Sequence, residues 1–208
     1  MEKYQLVEAY KKHWLENGSK PTSVYSFCKS IELNETEFYT FYNSLEALDQ
    51  DIWLDLFNST LAKFENDEVY NNYSAQEKLL AFYFLWVQKL KENRSYILLR
   101  KSNLKMMDLR NDSLDSFKKA FHEYAGNLIK LGYETNEIKE RKFISDKYAT
   151  GFWLQALFVL NYWIDDKSVN FELTDAAIEK AVALSFKLIS DNTIDSLIDF
   201  GKFVMIKK

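Results

Sequence analysis

The feature that most constrains the fold of this chain is its shortage of turn-forming residues. Among 208 residues there are only five glycines and a single proline, Pro21. An all-β or βαβ architecture needs a tight turn at nearly every strand end, and those turns draw on glycine and proline. Hydrophobic residues make up 47% of the chain, which is enough for a sizeable core. We therefore expect an all-α protein.

Apolar residues recur at three- and four-residue spacings along the chain, a pattern typical of amphipathic helices. Capping boxes that begin at Asn34, Asn43 and Ser74 mark helix starts. Pro21 suits a helix entry, and Gly18 suits a helix end. Three short helices thus lead into a long one, and larger helices follow. The predicted helices span residues 2–17, 21–30, 35–42, 45–66, 75–93, 96–107, 114–131, 138–163, 176–189 and 193–206.

Composition also argues against several classes of protein. The most apolar run, 152–163, is shorter than the roughly 20 residues of a membrane span, and residues 1–17 lack the apolar segment of a secretory signal. We therefore expect a cytoplasmic protein. Cys28 is the only cysteine and there are two histidines, so the chain has few ligands for a metal ion. No catalytic triad or phosphate-binding loop is present, and we expect neither a cofactor nor enzyme activity.

The segment 22–48 has a specific order of residue types, reading TSVYSFCKSIELNETEFYTFYNSLEAL. A Thr-Ser-Val start is followed by apolar core positions, two aromatic pairs and a Ser-x-Glu-x-Leu end. In this order the segment resembles the helix-turn-helix of the TetR family of bacterial transcriptional regulators. The matching positions are Thr22, Ser23, Val24, Phe27, Cys28, Leu33, Phe38, Tyr39, Phe41, Tyr42, Ser44, Glu46 and Leu48.

The resemblance implies a fold and a function for the whole chain. Residues 1–48 correspond to a three-helix DNA-binding domain, and residues 49–208 to a helical-bundle domain for ligand binding and dimerisation. The implied function is a ligand-responsive regulator that binds operator DNA as a homodimer, in which an effector alters the separation of the two DNA-binding motifs. By position in the motif, the implied DNA-contacting residues are Thr22, Ser23, Lys29, Asn34, Thr36, Tyr39, Thr40 and Tyr42.

The resemblance also implies a dimer interface and an effector site. In the family, the last two large helices of each subunit pair into a four-helix bundle, and residues 138–163 and 176–189 are suited to this because they are apolar over more than one face. The central helices are rich in aromatic residues, which suit either an apolar small-molecule effector or ordinary core packing. The predicted effector site consists of Phe82, Trp86, Tyr96, Met106, Phe121 and Tyr124.

Three positions depart from the family pattern. Glu32 occupies the glycine position of the turn, Glu37 the threonine position that faces DNA, and Leu45 the position of a conventional lysine. Between residues 22 and 46 the only basic side chain is Lys29, against four glutamates. Because phosphate neutralisation supplies much of the affinity for DNA, a second hypothesis stands beside the first. It is a TetR-fold protein that does not bind DNA and instead binds an apolar small molecule or lipid.

A basic stretch covers residues 89–119, where nine lysines and arginines outnumber four acidic residues. Such a stretch can attract an anionic ligand or form a solvated face. Because the charges are spread over three predicted helices, the sequence favours the solvated face.

Overall fold

The computed structural model describes residues 2–101, 112–142 and 144–191. Over these ranges the regular structure consists of ten α-helices and three short 3₁₀ turns, without a strand, which confirms the all-α prediction. No helix in the described ranges is both long enough and apolar enough to cross a membrane. The helices are α1 (Lys3–Asn17), α2 (Val24–Ser30), α3 (Glu35–Tyr39), α4 (Leu45–Leu61), α5 (Glu68–Asn71), α6 (Ala75–Glu92), α7 (Arg94–Leu99), α8 (Asp115–Glu134), α9 (Tyr148–Asp165) and α10 (Glu172–Ser190).

The chain divides into two compact units. Unit 1 comprises the described residues within 1–62 and 86–120, and unit 2 those within 63–85 and 121–208. Helices α1 to α4 and α7 belong to unit 1, whereas α5, α9 and α10 belong to unit 2. Helices α6 and α8 contribute residues to both.

The N-terminal part of unit 1 is held together by an aromatic core. Tyr10 and Trp14 of α1 are buried, as are Phe27 of α2 and Phe38 of α3. The Phe27 ring meets the Tyr10 ring edge to face at 5.8 Å and the Phe38 ring at 6.3 Å. Such pairs each contribute about 0.5–1.5 kcal/mol beyond their buried area. The helix end predicted at Gly18 is confirmed, because this residue has a φ of 69° and its N–H donates to the Trp14 carbonyl.

Unit 2 has an aromatic core of its own. Phe121 of α8 lies 5.8 Å from Phe82 of α6 and 5.9 Å from Trp153 of α9, measured between ring centroids. On the other side of α9, Phe152 stacks on Phe186 of α10 at 5.6 Å. These contacts join four helices through apolar side chains.

Three charged groups in unit 2 bond to backbone groups at helix ends. The Glu137 carboxylate accepts hydrogen bonds from the backbone N–H groups of the first two residues of α6, at 3.1 and 3.2 Å. The buried Arg141 guanidinium donates to the Ile189 carbonyl near the end of α10 at 2.7 Å. Asp166 accepts from Thr174 N–H at 2.9 Å in the first turn of α10. Each group satisfies backbone polar groups that a helix end leaves without partners.

The helix predicted over 138–163 is wrong in its first ten residues, because α9 begins at Tyr148. The backbone of Ile138 and Lys139 instead bonds to the ends of α8 and α10. Ile138 N–H donates to the Gly132 carbonyl and Lys139 N–H to the Ile189 carbonyl. Further along, the bonds are local: Ser145 N–H donates to the Arg141 carbonyl and Lys147 N–H to the Ile144 carbonyl, in the 3₁₀ turn that precedes α9.

Other predicted boundaries shift by smaller amounts. Helix α8 continues past Gly132 and ends at Glu134. Gly132 allows the Ile138 side chain to pack closely against α8, because a Cβ at residue 132 would lie 2.5 Å from that side chain. Helix α4 ends at Leu61 rather than at residue 66, and α5 was not predicted. Residues 102–107 of one predicted helix and all of 193–206 lie outside the described residues.

Candidate DNA-binding and dimerisation surfaces

The two short helices of the motif are held by side-chain caps. Ser23 Oγ accepts from Ser26 N–H at 3.0 Å while Ser26 Oγ accepts from Ser23 N–H at 3.1 Å, a reciprocal capping box at the start of α2. Asn34 Oδ1 accepts from Thr36 N–H at 3.1 Å at the start of α3. The capping box expected between Asn34 and Glu37 is therefore replaced by a cap on Thr36. Three of the predicted DNA contacts thus also shape the motif.

The turn between α2 and α3 has a strained residue at its centre. Leu33 N–H donates to the Cys28 carbonyl at 2.9 Å, and Glu32 N–H to the Lys29 carbonyl at 3.4 Å. These two bonds form a Schellman motif, in which the residue in the position of Glu32 adopts a left-handed conformation and is usually glycine. Its φ is 54°. The motif therefore keeps the turn geometry of the resemblance without the glycine, at a conformational cost.

Seven of the eight predicted DNA-contacting side chains are exposed. The exception is Tyr42, which is buried and whose hydroxyl donates to Asp51 at 2.7 Å. Burial, followed by this hydrogen bond, raises the pKa of Tyr42 well above its usual range. Leu45, in the position of the conventional lysine, is also buried. The exposed seven are Thr22, Ser23, Lys29, Asn34, Thr36, Tyr39 and Thr40.

The lysines near the motif are paired with carboxylates. Lys20 lies 2.6 Å from Glu46, and Lys3 lies 2.9 Å from Asp51. The hydrogen bond from Lys20 is the main cause that lowers the pKa of Glu46. We use the name α2–α3 surface for the exposed side chains of residues 22–40. Most of its polar groups are hydroxyls and amides, and its exposed charged groups are Lys29, Glu32 and Glu37.

The predicted effector residues are mostly core residues. Phe82 and Phe121 are buried in unit 2, where Phe82 also lies 5.1 Å from the half-buried Tyr124 ring. Trp86 and Tyr96 are buried in unit 1. These environments are typical of packing, and an apolar effector at these positions stays a prediction. The sixth residue, Met106, lies outside the described residues.

A buried polar cluster in unit 1 was not predicted from the sequence. The Arg100 guanidinium forms an ion pair with Asp49 of α4 and donates to the Tyr96 hydroxyl at 3.0 Å and to Ser113 Oγ at 3.2 Å. The Tyr96 hydroxyl in turn donates to Asp49 at 3.1 Å. Both charged side chains are almost fully buried, at 3% and 7% exposure. The signal available in the sequence was Asp49 itself, an acid beside the apolar stripe of α4.

Unit 2 has a large apolar groove between α9 and α10, with a volume of about 660 Å³. From α9 it is lined by Leu154, Phe158 and Tyr162, which are spaced four residues apart. From α10 it is lined mainly by alanines and leucines, including Leu184. Leu154 and Leu184 expose 49% and 58% of their surface. Apolar side chains gathered on one exposed face are typical of a protein interface.

The described part of the chain is an all-α protein with a helix-turn-helix near its N-terminus, and comparison with known proteins gives the family. Residues 78–204 match the family model described as the tetracyclin repressor-like C-terminal domain. This match covers more than half of the chain, which therefore belongs to the TetR family of transcriptional regulators. No curated protein matches the sequence.

Solved structures with the same fold cover most of the chain. A putative TetR-family regulator from Syntrophomonas wolfei aligns with a TM-score of 0.65 at 16% identity, covering 89% of this chain and 93% of that chain. One from Shewanella sp. PV-4 aligns at 0.61 and 14% identity, covering 90% and 97%. A ketosteroid transcriptional regulator of Mycobacterium tuberculosis aligns at 0.52 and 11% identity, covering 91% and 95%. At these identities the likeness shows the fold.

Proposed function

We propose that this chain is a ligand-responsive transcriptional regulator that binds operator DNA as a homodimer. The observation that carries the proposal is the α2–turn–α3 element, whose apolar side is packed into the core and whose hydroxyl-bearing side is exposed. Residues 1–48 form the proposed DNA-binding domain and residues 49–208 the ligand-binding and dimerisation domain. Helix α4 crosses this boundary without interruption.

The proposed contacts to DNA depend on hydroxyls more than on lysines. Thr36, Tyr39 and Thr40 are exposed on or just after α3, the helix that enters the major groove in this type of motif. Thr22 and Ser23 at the start of α2 are placed for phosphate oxygens, to which hydroxyls and backbone N–H groups often donate. Because few ammonium groups are available to neutralise phosphates, we expect modest affinity and a shallow dependence on salt.

The proposed dimer forms through the α9–α10 groove. A second copy is the occupant that the groove fits best, because its lining is apolar along both helices and a two-fold axis brings identical faces together. A stable interface needs roughly 1,000 Å² or more of buried surface. The exposed leucines and aromatics of two such faces are suited to that requirement.

The test is a salt series of fluorescence anisotropy with a labelled duplex from the upstream region of the chain's own gene. Wild-type protein should bind that duplex more tightly than a scrambled one. Glu46→Gln removes the partner of Lys20, so each subunit should gain about one phosphate contact. The slope of log affinity against log salt for the dimer should therefore steepen by about 1.8. Glu16→Gln, which removes the partner of Lys12 on α1, is the matched control for a lost acidic charge.

The outcomes separate the proposed function from its rival. Equal affinity for upstream and scrambled duplexes would contradict operator binding. The rival is a TetR-fold protein that does not bind DNA and binds an apolar small molecule or lipid, and the pairing of Lys3 and Lys20 with carboxylates favours it. It predicts that neither the wild-type protein nor Glu46→Gln binds duplex DNA at physiological salt, although both dimerise.

A further inference from the structure

Two polar side chains bond to each other in the lining of the α9–α10 groove. Gln155 of α9 and Ser185 of α10 are both half-buried there. Gln155 Nε2 donates to Ser185 Oγ at 3.2 Å, and Ser185 Oγ donates to the Val182 carbonyl at 2.9 Å. Gln155 Oε1 accepts from the hydroxyl of Tyr83, a buried residue of α6, at 3.3 Å. The core of unit 2 therefore orients these two side chains, which we call the Gln155–Ser185 pair.

The Gln155–Ser185 pair has hydrogen-bonding groups that no described residue uses. A glutamine amide carries two N–H donors, and its oxygen accepts two hydrogen bonds, as a serine oxygen does. The second N–H of Gln155 donates to no described residue, and one accepting position stays open on each of the two oxygens. Water can bond to these groups in the single chain. A face that covers the groove removes that water and has to supply the bonds itself.

Most of the groove cannot supply those bonds to a second copy. Among its described lining residues, Lys180 has only donors, the Tyr162 hydroxyl can accept, and the others outside the pair are leucine, alanine and phenylalanine. The Gln155–Ser185 pair has both a donor and acceptors, so it is complementary to the same pair in a second copy. It therefore fits a two-fold axis, across which identical groups meet.

The direction of the helices limits where such an axis can lie. Helices α9 and α10 are antiparallel, because Phe152 stacks on Phe186 at 5.6 Å while Trp163 lies 6.1 Å from Phe171. The Gln155–Ser185 pair is near the first of these ends. An axis can thus lie beside the pair, or it can lie in the middle of the groove and place the pair opposite the far end of the second copy.

The charge of Lys180 favours the axis beside the pair. Lys180 is exposed in the middle of the α10 side of the groove and has no ion-pair partner among the described residues. An axis in the middle would bond Gln155 to Tyr162 of the second copy, but it would also bring two Lys180 ammonium groups together, and like charges repel. An axis beside Ser185 keeps each Lys180 about 7.5 Å away along α10.

We infer that the Gln155–Ser185 pair selects a second copy of this chain as the partner of the groove and sets the register of the dimer. The second N–H of each Gln155 donates across the axis to an oxygen of the opposite pair. These two symmetric bonds replace the water that the pair loses, whereas an apolar face without such groups leaves the N–H buried and without an acceptor. The inference rests on the proposed dimer, and it adds the position of the axis and the reason for self-recognition.

Cysteine cross-linking tests the position of the axis, because a residue beside a two-fold axis lies close to its own copy. Ser185→Cys and Ala181→Cys are oxidised mildly, and disulfide formation is followed on non-reducing gels. Because Cys28 is buried, the wild-type protein gives the background. Ser185→Cys should cross-link about tenfold faster or more, since residue 181 lies about 6 Å further along α10 in each copy. Equal rates, or a faster reaction of Ala181→Cys, would overturn the inference.

Sedimentation equilibrium on the same proteins separates this inference from the proposed dimer. If both cysteine variants are dimers but residue 185 does not cross-link, the inference is overturned and the dimer stands. If the wild-type protein is a monomer, both are overturned.

Mixing of two forms of the chain tests the selection itself. Gln155→Leu has an apolar side chain of similar size in place of the amide and should still form homodimers. With ¹⁵N-labelled wild-type protein, its mixed dimers should be about tenfold rarer or more than random pairing gives, because the wild-type N–H then faces leucine. Lys180→Gln, which changes a lining residue away from the axis, is the matched control and should pair randomly. Native mass spectrometry counts the species, and random pairing of Gln155→Leu would overturn the inference.

Discussion

The α2–α3 surface and the α9–α10 groove are both exposed, but they differ in what a partner must supply. In the groove, apolar side chains such as Leu154 and Leu184 are in contact with water. Binding of a complementary apolar face is favourable because it removes this apolar surface from water. On the α2–α3 surface, Ser23 and Asn34 are already engaged as caps, and nearby lysines are paired with carboxylates. Hydrophobicity therefore supplies most of the attraction at the groove, whereas the α2–α3 surface depends on geometry and on exchange of hydrogen bonds.

The interiors of the two units differ in a similar way. Unit 1 contains an ion pair between Asp49 and Arg100 within its core, at the contact of α4 with α7. In unit 2 the buried Arg141 and Asp166 lie at helix ends, where they bond to backbone groups. A core ion pair holds two side chains in one relative position, whereas a cap stabilises the end of one helix. Substitutions can test whether this distinction has energetic consequences.

The largest effect is expected from Arg100→Met, which leaves the Asp49 carboxylate buried without its guanidinium partner. Removal of one member of a buried pair destabilises by about 3–5 kcal/mol. The double variant Asp49→Leu/Arg100→Met should recover most of the loss, because neither charge is then desolvated. Urea unfolding measures both. If the double variant were as unstable as the single one, the ion pair would not be the source of the loss.

The next effect concerns the groove. Leu184→Asp introduces two buried charges per dimer and should weaken self-association by about 100-fold or more, which corresponds to roughly 2.7 kcal/mol. Leu98→Asp is the matched control, because Leu98 is an exposed leucine on α7 and not in the groove. Sedimentation equilibrium distinguishes them. If Leu184→Asp dimerises with unchanged affinity, the interface lies elsewhere.

A smaller, pH-dependent effect is expected at the start of α10. Burial raises the pKa of the Asp166 carboxyl, but hydrogen bonds from Thr174 and Ser168 outweigh it and lower the pKa from 3.8 to about 2. A carboxyl with a lowered pKa stabilises the fold above its unfolded value of 3.8, by about 2 kcal/mol here, and this contribution is lost as the pH falls toward 2.

Asp166→Asn should therefore be less stable than the wild-type protein at pH 7, and the difference should shrink between pH 4 and pH 2. Denaturant unfolding at three pH values measures it, with Glu179→Gln on the exposed face of α10 as the control. A difference that is constant with pH would show that the charge of Asp166 contributes nothing.

The smallest effect is expected at the turn of the α2–α3 motif. Glu32→Gly removes the strain of holding a residue with a Cβ at positive φ. It should stabilise the protein by up to about 1 kcal/mol, after subtracting the larger backbone entropy that glycine loses on folding. Glu32→Ala removes the same charge but keeps most of the strain, so it should not stabilise. A thermal melt compares the two. Equal stabilisation by both would assign the effect to charge rather than to φ.

Local sequence patterns predicted helix boundaries well where residues near the boundary in the sequence determine it. Gly18 ends α1 through its own conformation, and Asn34 caps α3 as the sequence indicated. The cap of α4 is Ser44, one residue after the predicted Asn43. The start of α9 was missed because Lys139 and Arg141 bond to the end of α10, which lies some 50 residues away. Gly132 was taken for a helix stop because the sequence cannot show that Ile138 packs against it.

The candidate sites divide along the same line. The α2–α3 motif was predicted because its residues are consecutive and their order is specific. The buried polar cluster was not, because Asp49 and Arg100 are far apart in the sequence and meet only in the folded chain. Tyr42 was expected to contact DNA by position in the motif, but Asp51, about two turns into α4, holds its hydroxyl inside the domain.

The thiol-labelling rate of Cys28, the only cysteine, can report how often the α2–α3 motif opens. Its side chain is 2% exposed, and burial, followed by the nearby charge of Glu35, raises the pKa of the thiol. A thiol reagent can reach it only when α2 opens, so the labelling rate in native buffer equals the rate for an exposed thiol multiplied by the open fraction. One residue of the natural chain thus measures the opening free energy of the motif. A change in that rate on addition of a duplex would show that the duplex acts on the motif itself.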